Sequence, residues 1–470
     1  MRKSIAFIII GILVLGGIGA GAFSVTNKNI VSTSADEYDL VIIAPEEFVS
    51  YLLPLVDHKN NHDIQTTIKT TEAIYSEYDG RDNAEQIKYF IKDALETWNV
   101  TYVLLVGGKK GQSFDWYVPV RYSNIKDGTD YEFFISDLYF ADIYKYNKTS
   151  GQNEFDDWDS NKNDIFGEFK LMNKDIVDLK PDVILGRLPC RNTGDLKTIV
   201  EKIIAYESTP ADPSWYNRMI CIGGDTFPGN SGLFMYEGEA TCDIAASYMT
   251  DFTIIKLYTS TGALTGSAEV INEMNQGCGF VLTRGRGGTD KVRTYLPDGT
   301  EIIPMSNKDI RSLSNKDKYP IFVFGECNHA KLDVCLLNFL KLFKDEPNIY
   351  QNFTHNDCIM ECMAWRMASK QEGGSIATIT NTNFCYGAGT GDANSNGIPD
   401  DAETYGGWLA LEIFRLIGQE GKTTLGEIHT QSILNYIDNF PVYTNLLHSK
   451  SIQEWILLGD PTLKIGGYLS

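Results

Sequence analysis

The chain has 470 residues, of which 43% are hydrophobic and 22% charged, with a formal net charge of −21 at pH 7. At about 150 residues per domain this length allows roughly three domains, or one large α/β unit made of two halves. The composition is that of an ordinary globular protein. The acidic balance argues against nucleic-acid binding, which needs a basic footprint, and suits a soluble protein that attracts cations.

Arg2 and Lys3 precede an uncharged apolar stretch at residues 4–23, about the roughly 20 residues that span a bilayer. Its end is rich in small residues (Gly19, Ala20, Gly21, Ala22) where cleavage could occur. Residues 1–23 therefore read as a signal peptide or an N-terminal membrane anchor. Both readings put the rest of the chain outside the cell or on its surface, with membrane contact only through this segment. Residues 24–37 are small and polar and read as a linker.

The folded part begins at Tyr38. Leu40-Val41-Ile42-Ile43-Ala44, closed by Pro45, and Tyr102-Val103-Leu104-Leu105-Val106, closed by glycines, are short apolar runs of the buried-strand type. Helical spacing covers residues 46–60 and 84–98. Residues 110–175 are rich in Tyr, Asp, Asn and Phe with weak periodicity, as expected for an insertion of loops and short strands. A strand at 183–189 and a helix at 193–207 follow, with Thr193 as a plausible N-cap. Pro210 and Pro213 mark a boundary between a first half, 38–210, and a second half, 211–470. The second half repeats the rhythm, with strands at 218–224, 279–283, 320–325 and 376–380 and helices at 233–249, 358–371, 406–417 and 425–437. Alternation of this kind predicts an α/β fold, mostly parallel sheets flanked by helices. Ligands of such sheets bind beyond the carboxyl ends of strands. Two such ends carry unusual chemistry: the glycine turn at 285–288 and Cys327.

The nine cysteines show no CxxC pair, and a disulfide scaffold is not expected at this length. Cys358 and Cys362, four apart, would share a helix face, a spacing that points to packing more than to metal.

Residues 392–403 fit the twelve-residue calcium loop. Oxygen ligands fall at Asp392, Asn394, Asn396, Asp400 and Glu403, Gly397 holds the turn position and Ile398 offers its carbonyl. A weaker cousin offers Asp159, Asn161, Asn163 and Glu168 but lacks glycine at its sixth position. Calcium is the expected ion at both, and bound ion would stabilise the fold by mass action.

Several segments occur in a telling order: Leu40 to Pro45, Tyr102 to Gly108, Ser136-Asp137-Leu138-Tyr139-Phe140-Ala141-Asp142, Gly186-Arg187-Leu188-Pro189, Glu201 to Glu207, Gly373-Gly374-Ser375-Ile376-Ala377 and Trp455 to Pro461. Together they resemble the gingipain-type cysteine peptidases over residues 38–468. The resemblance implies a caspase-like α/β fold in two related halves, a Cys–His dyad, and peptide or protein substrates. In that family the histidine sits in a Gly-His-Gly turn and the cysteine ends a later strand. Here the turn reads Gly285-Arg286-Gly287 and the later strand ends at Cys327. Cys327 thus maps onto the nucleophile, the backbone N–H groups of Gly287 and Cys327 onto the oxyanion donors, and Arg286 onto the histidine.

A guanidinium beside Cys327 would favour thiolate. With a pKa above about 12 it is a poor proton donor, and general acid–base catalysis is worth about 10²- to 10⁴-fold. His329, two residues after Cys327, is the possible surrogate. The sequence therefore predicts an exported, calcium-stabilised cysteine peptidase. Its alternative is a catalytically impaired relative that binds peptides or surface partners.

Overall fold

The apolar runs dictate the architecture. Leu40–Ala44, Phe280–Arg284, Ile321–Phe324, Ala377–Asn381 and Trp455–Leu458 are buried at every position, which a strand achieves only in a sheet covered on both faces. The computed structural model describes residues 37–127, 130–170, 173–228, 235–343 and 357–468. The expected signal or anchor segment lies outside the described residues. Among the described residues, no helix is long and apolar enough to cross a membrane.

One ten-stranded sheet forms the centre, where the sequence suggested sheets in the plural. In spatial order its strands are Thr253–Tyr258, Arg218–Gly223, Phe280–Arg284, Ile321–Phe324, Ala377–Asn381, Trp455–Leu458, Ile184–Leu188, Tyr102–Val106, Leu40–Ala44 and Thr66–Thr70. The two ends repeat one topology. A first strand (Leu40–Ala44 or Arg218–Gly223) is flanked on the outside by the next in sequence and on the inside by the third and fourth. At the seam, Trp455–Leu458 pairs antiparallel with Ala377–Asn381 and parallel with Ile184–Leu188. Strand directions in the two halves are therefore opposed. The carboxyl ends of Phe280–Arg284 and Ile321–Phe324, which are parallel neighbours, emerge side by side on one edge.

The motifs that carry the family resemblance are latches in this sheet. Arg187 is fully buried and grips Asp137 with two hydrogen bonds, Nε to Oδ2 at 2.6 Å and Nη2 to Oδ1 at 2.8 Å, the strong bidentate geometry. Lys202 reaches from the helix Thr193–Glu207 into the carbonyls of Ala368, Lys370, Gly373 and Ser375. Its ammonium also lies 4.4 Å from the Tyr319 ring, and burial, with the Lys370 charge adding, pushes its pKa well down. Lys59 bridges Glu207 and Asp460, each at 2.7 Å, tying the first helical layer to the C-terminal strand.

Two edge strands, Thr66–Thr70 and Thr253–Tyr258, had no expectation in the sequence. They are only partly buried and therefore carry no continuous apolar run. The helix expected at 358–371 is a correction: it spans only Met363–Ala368. Cys362 is extended at its start, φ −70° and ψ 155°, so Cys358 and Cys362 do not share a helix face. Asn192 caps the helix that follows it, accepting from the Asp195 N–H, one residue before the expected Thr193.

Candidate active site

The turn after Ile321–Phe324 is built around Arg284, the last residue of the neighbouring strand. Its buried guanidinium donates to the Gly325 carbonyl and to the Asp401 carboxylate. A Cβ at Gly325 would lie 2.5 Å from that guanidinium, so a larger residue would have to displace it. Thr283 donates to Glu326 at 2.8 Å, and Asn381 Nδ2 donates to the Glu326 carbonyl at 3.2 Å. The chain then runs beside residues 381–385: the Asn328 N–H donates to the Asn383 carbonyl and the Ala330 N–H to the Asn381 carbonyl.

That pairing lays Cys385 on Cys327. Their Sγ atoms are 3.4 Å apart, and Cys327 Sγ is 3.3 Å from the Cys385 carbonyl oxygen. Both thiols are partly exposed. The contact splits their acidities. The hydrogen bond from Cys385 lowers the pKa of Cys327 against the opposing effect of burial, and Lys450 assists. The same bond, with burial, raises Cys385. Cys327 is therefore the more acidic thiol of the pair. Gly287 closes the other side: a Cβ there would fall 2.2 Å from the Cys327 carbonyl oxygen and 2.5 Å from its nitrogen. The two expected oxyanion donors are thus in backbone contact.

Beneath the thiols lies a buried charge cluster. Lys450 Nζ pairs with Glu132 at 2.8 Å and Glu454 at 3.4 Å, donates to the Phe384 carbonyl and sits 4.8 Å from the Tyr386 ring. One cation cannot hold two carboxylates and a thiolate, and Glu132 has the shorter bond. Glu454 is left protonated, pushed up to about 8 by burial, with the Cys327 charge adding to the rise.

A profile of peptidase family C25 matches residues 33–466. The chain belongs to that family. Gingipain R2 of Porphyromonas gingivalis (strain ATCC BAA-308 / W83) is 23% identical over 277 residues, 57% of this chain and 30% of the relative. Gingipain R1 of Porphyromonas gingivalis is likewise 23% identical over 277 residues, 22% of its length. The chain thus matches less than a third of these curated relatives. The crystal structure of the Arg-specific cysteine proteinase gingipain R superposes with a TM-score of 0.62 at 18% identity, covering 93% of this chain and 79% of that one. The complex of the Porphyromonas gingivalis RgpB pro- and mature domains gives 0.60 at 19% identity, covering 91% and 79%. The caspase-like fold expected from the sequence is the fold observed.

Within this C25 chain the expected site residues separate. Cys327 and Gly287 meet. Arg286 is exposed and its guanidinium donates to the Tyr295 hydroxyl at 3.3 Å, on the hairpin strand Lys291–Tyr295. The nearby cation that lowers the Cys327 pKa is Lys450. His329 is fully buried, with Nε2 3.6 Å from Glu326 and its ring 4.5 Å from that of Phe324. Among the described residues, no histidine hydrogen-bonds Cys327: His58 bonds Glu207, His62 bonds the His58 carbonyl, His448 bonds Tyr436, and burial pushes His429 down to about 4.

Cys385, Lys450 and Glu454 are the site residues the sequence did not reveal. The one local hint is the Lys450–Glu454 spacing, an i,i+4 pair on the helix Leu446–Gln453 and its cap.

Both acidic loops close on themselves. In the second, Asp392 accepts from the Asn396 and Gly397 N–H groups, Asn394 and Asn396 accept from Asn396 and Ile398, and both Asn side chains reach Glu403, at 2.8 and 2.6 Å. Asp400 accepts from the Ala393 N–H. In the first, Asp159, Asn161, Asn163 and Glu168 repeat this arrangement, with Asp164 at φ 62° where the other loop has Gly397 at φ 84°. The oxygen-donor residues of each loop therefore converge, and the donor chemistry suits a hard cation.

Proposed function

We propose that this C25 chain is an exported, calcium-stabilised cysteine peptidase whose nucleophile is Cys327 and whose proton donor is not a histidine. The observation that carries the reading is the partly exposed Cys327 thiol at a strand end, with its pKa lowered and glycine backbone against it. A low thiol pKa is what makes a cysteine nucleophilic at neutral pH. The sulfur would attack a peptide carbonyl, and the Gly287 and Cys327 N–H groups would receive the developing oxyanion. The departing amine needs a proton. Glu454 holds one up to about pH 8 and takes the role proposed from sequence for His329, whose ring is buried against Phe324 and Glu326.

The N-terminal segment supports export, and the 392–403 loop, with Asp392, Asn394, Asn396, Ile398, Asp400 and Glu403, supports calcium. From that loop Asp401 reaches Arg284 and so the Gly325 turn, a path by which bound ion would steady the site. Arg286 in place of the expected histidine favours a second reading, a relative that binds peptides without cleaving them.

Cleavage of a mixed peptide pool, with and without calcium, separates the two. Under the first reading the protein cleaves, Cys327→Ala is silent, and Glu454→Gln loses about 10²-fold or more of the rate. Silence in the natural protein together with cleavage by Arg286→His would overturn it and establish the second.

A further inference from the structure

The nucleophile of the reading above has a second thiol in contact with it, and a hydrogen bond to the nucleophile does not need a group as oxidisable as a thiol. We infer that Cys327 and Cys385 are a reversible disulfide pair, a covalent modification site whose oxidant is a low-molecular-weight disulfide.

Exposure sets this pair apart from Cys221 and Cys242, which also touch but are buried. Of the nine cysteines, Cys190, Cys221, Cys242, Cys278, Cys335 and Cys362 are buried, and only Cys327, Cys358 and Cys385 are partly exposed. Cys327 and Cys385 stand 3.4 Å apart at sulfur, so a modest closure reaches the ~2.05 Å of a disulfide bond. The residues that carry them are already held together by the Asn328–Asn383 and Ala330–Asn381 backbone bonds. Closure therefore needs no new chain pairing.

The chemistry runs in two exchanges. The Cys327 thiolate attacks one sulfur of the small disulfide, forming a mixed disulfide and releasing one small thiolate. Cys385 then gives up its proton, attacks the Cys327 sulfur and expels the second small thiol. Two protein thiols and one small disulfide become one protein disulfide and two small thiols. Two electrons pass from protein to reagent, and a reducing thiol reverses both steps. The inequality of the pair suits this order: the more acidic thiol attacks first and the more basic one resolves. While the bond stands, Cys327 has no nucleophilic lone pair to offer a peptide. Only this last consequence rests on the peptidase reading.

The test is incubation of the full protein with oxidised glutathione, trapping of free thiols with iodoacetamide, digestion and mass spectrometry. The expected result is a peptide pair cross-linked through 327 and 385, lost on treatment with dithiothreitol, while Cys358 is alkylated. Cys385→Ser and Cys385→Ala, each checked for native circular dichroism, should stop at glutathione on Cys327. Natural protein that keeps glutathione on Cys327 with Cys385 alkylated would overturn the pair. A cross-link in protein that cleaves no peptide under reducing conditions would leave the pair standing and sink the peptidase reading. Cleavage that persists after full cross-linking would overturn the assignment of Cys327 as the thiol that the bond disables.

Discussion

Residues 159–168 and 392–403 fold into the same curl but meet opposite electrostatic surroundings. In both, an aspartate opens the loop, two asparagines alternate after it, and a glutamate closes it by accepting from both amides. In the first loop Asp159 and Glu168 are buried, and the protein supplies the positive charge. Arg81 Nη1 lies 2.6 Å from Asp159, and Lys170 pairs with Glu168. In the second, among the described residues, no lysine or arginine pairs with Asp392, Asp400 or Glu403, and all three are partly exposed. Spacing decides the curl. What lies around it decides whether protein or solvent must provide the cation. A buried carboxylate cannot wait for an ion, whereas a half-exposed one can.

The largest way to break this comparison is to remove the built-in cation. Arg81→Gln leaves Asp159 buried and uncompensated, while Glu85 and Asp157 also lose their partner. Loss of one member of a buried pair costs about 3–5 kcal/mol, and the one-third exposure of Arg81 brings the expectation to the lower end. Urea unfolding without calcium should show that loss, and millimolar calcium should return part of it by occupying the first loop. No rescue would mean that this curl cannot take an ion even when vacated.

Next in size is the second loop itself. Adding calcium at about a hundred times its dissociation constant should stabilise the natural protein by about 2.7 kcal/mol. Asp392→Ala should abolish most of that gain, and Asp159→Asn should leave it intact, both read as calcium-dependent shifts in thermal midpoint. A gain that follows Asp159 instead would reverse the assignment of the two loops.

The comparison also shows what one sequence can disclose. The fully buried strands announced themselves as apolar runs because both their faces are covered. Thr66–Thr70 and Thr253–Tyr258 did not, because an edge strand half in water has no such run. The curls were legible because their Asp, Asn and Glu residues recur at a local spacing, yet the cations that distinguish the two come from Arg81 and Lys170, outside the pattern. The candidate site divides the same way. Cys327 and Gly287 could be mapped because each ends or follows a strand in a recognisable turn. Cys385 is 58 residues from Cys327, and Lys450 and Glu454 arrive on a helix from near the C-terminus. Only the return of Trp455–Leu458 to the middle of the sheet brings them under the thiols. His329, two residues after Cys327, is instead buried against Phe324 and Glu326, while a distant lysine helps lower the pKa of the cysteine.

The smallest expected effect is the share of the pH dependence that one carboxyl beside the first loop contributes. Asp175 accepts from the Ser160 and Glu168 N–H groups, both at 2.8 Å, and burial pushes its pKa from 3.8 up to about 6. The folded state therefore holds a proton that the unfolded chain has released. Stability must fall as pH rises from the unfolded value through about 6, because each step in that interval strips a proton the fold prefers to keep. Asp175→Asn, which cannot titrate, should remove its share of that decline in a series of unfolding curves from about pH 4 to about pH 6.5, leaving the shares of Glu237 and Glu454. The corresponding slope should persist in Asp392→Asn, since Asp392 is partly exposed and the buried carboxyl of the second loop, Asp401, is paired with Arg284. If Asp175→Asn and Asp392→Asn flatten the curve equally, the first loop is not the more deeply desolvated of the two, and the contrast drawn between them fails at its physical root.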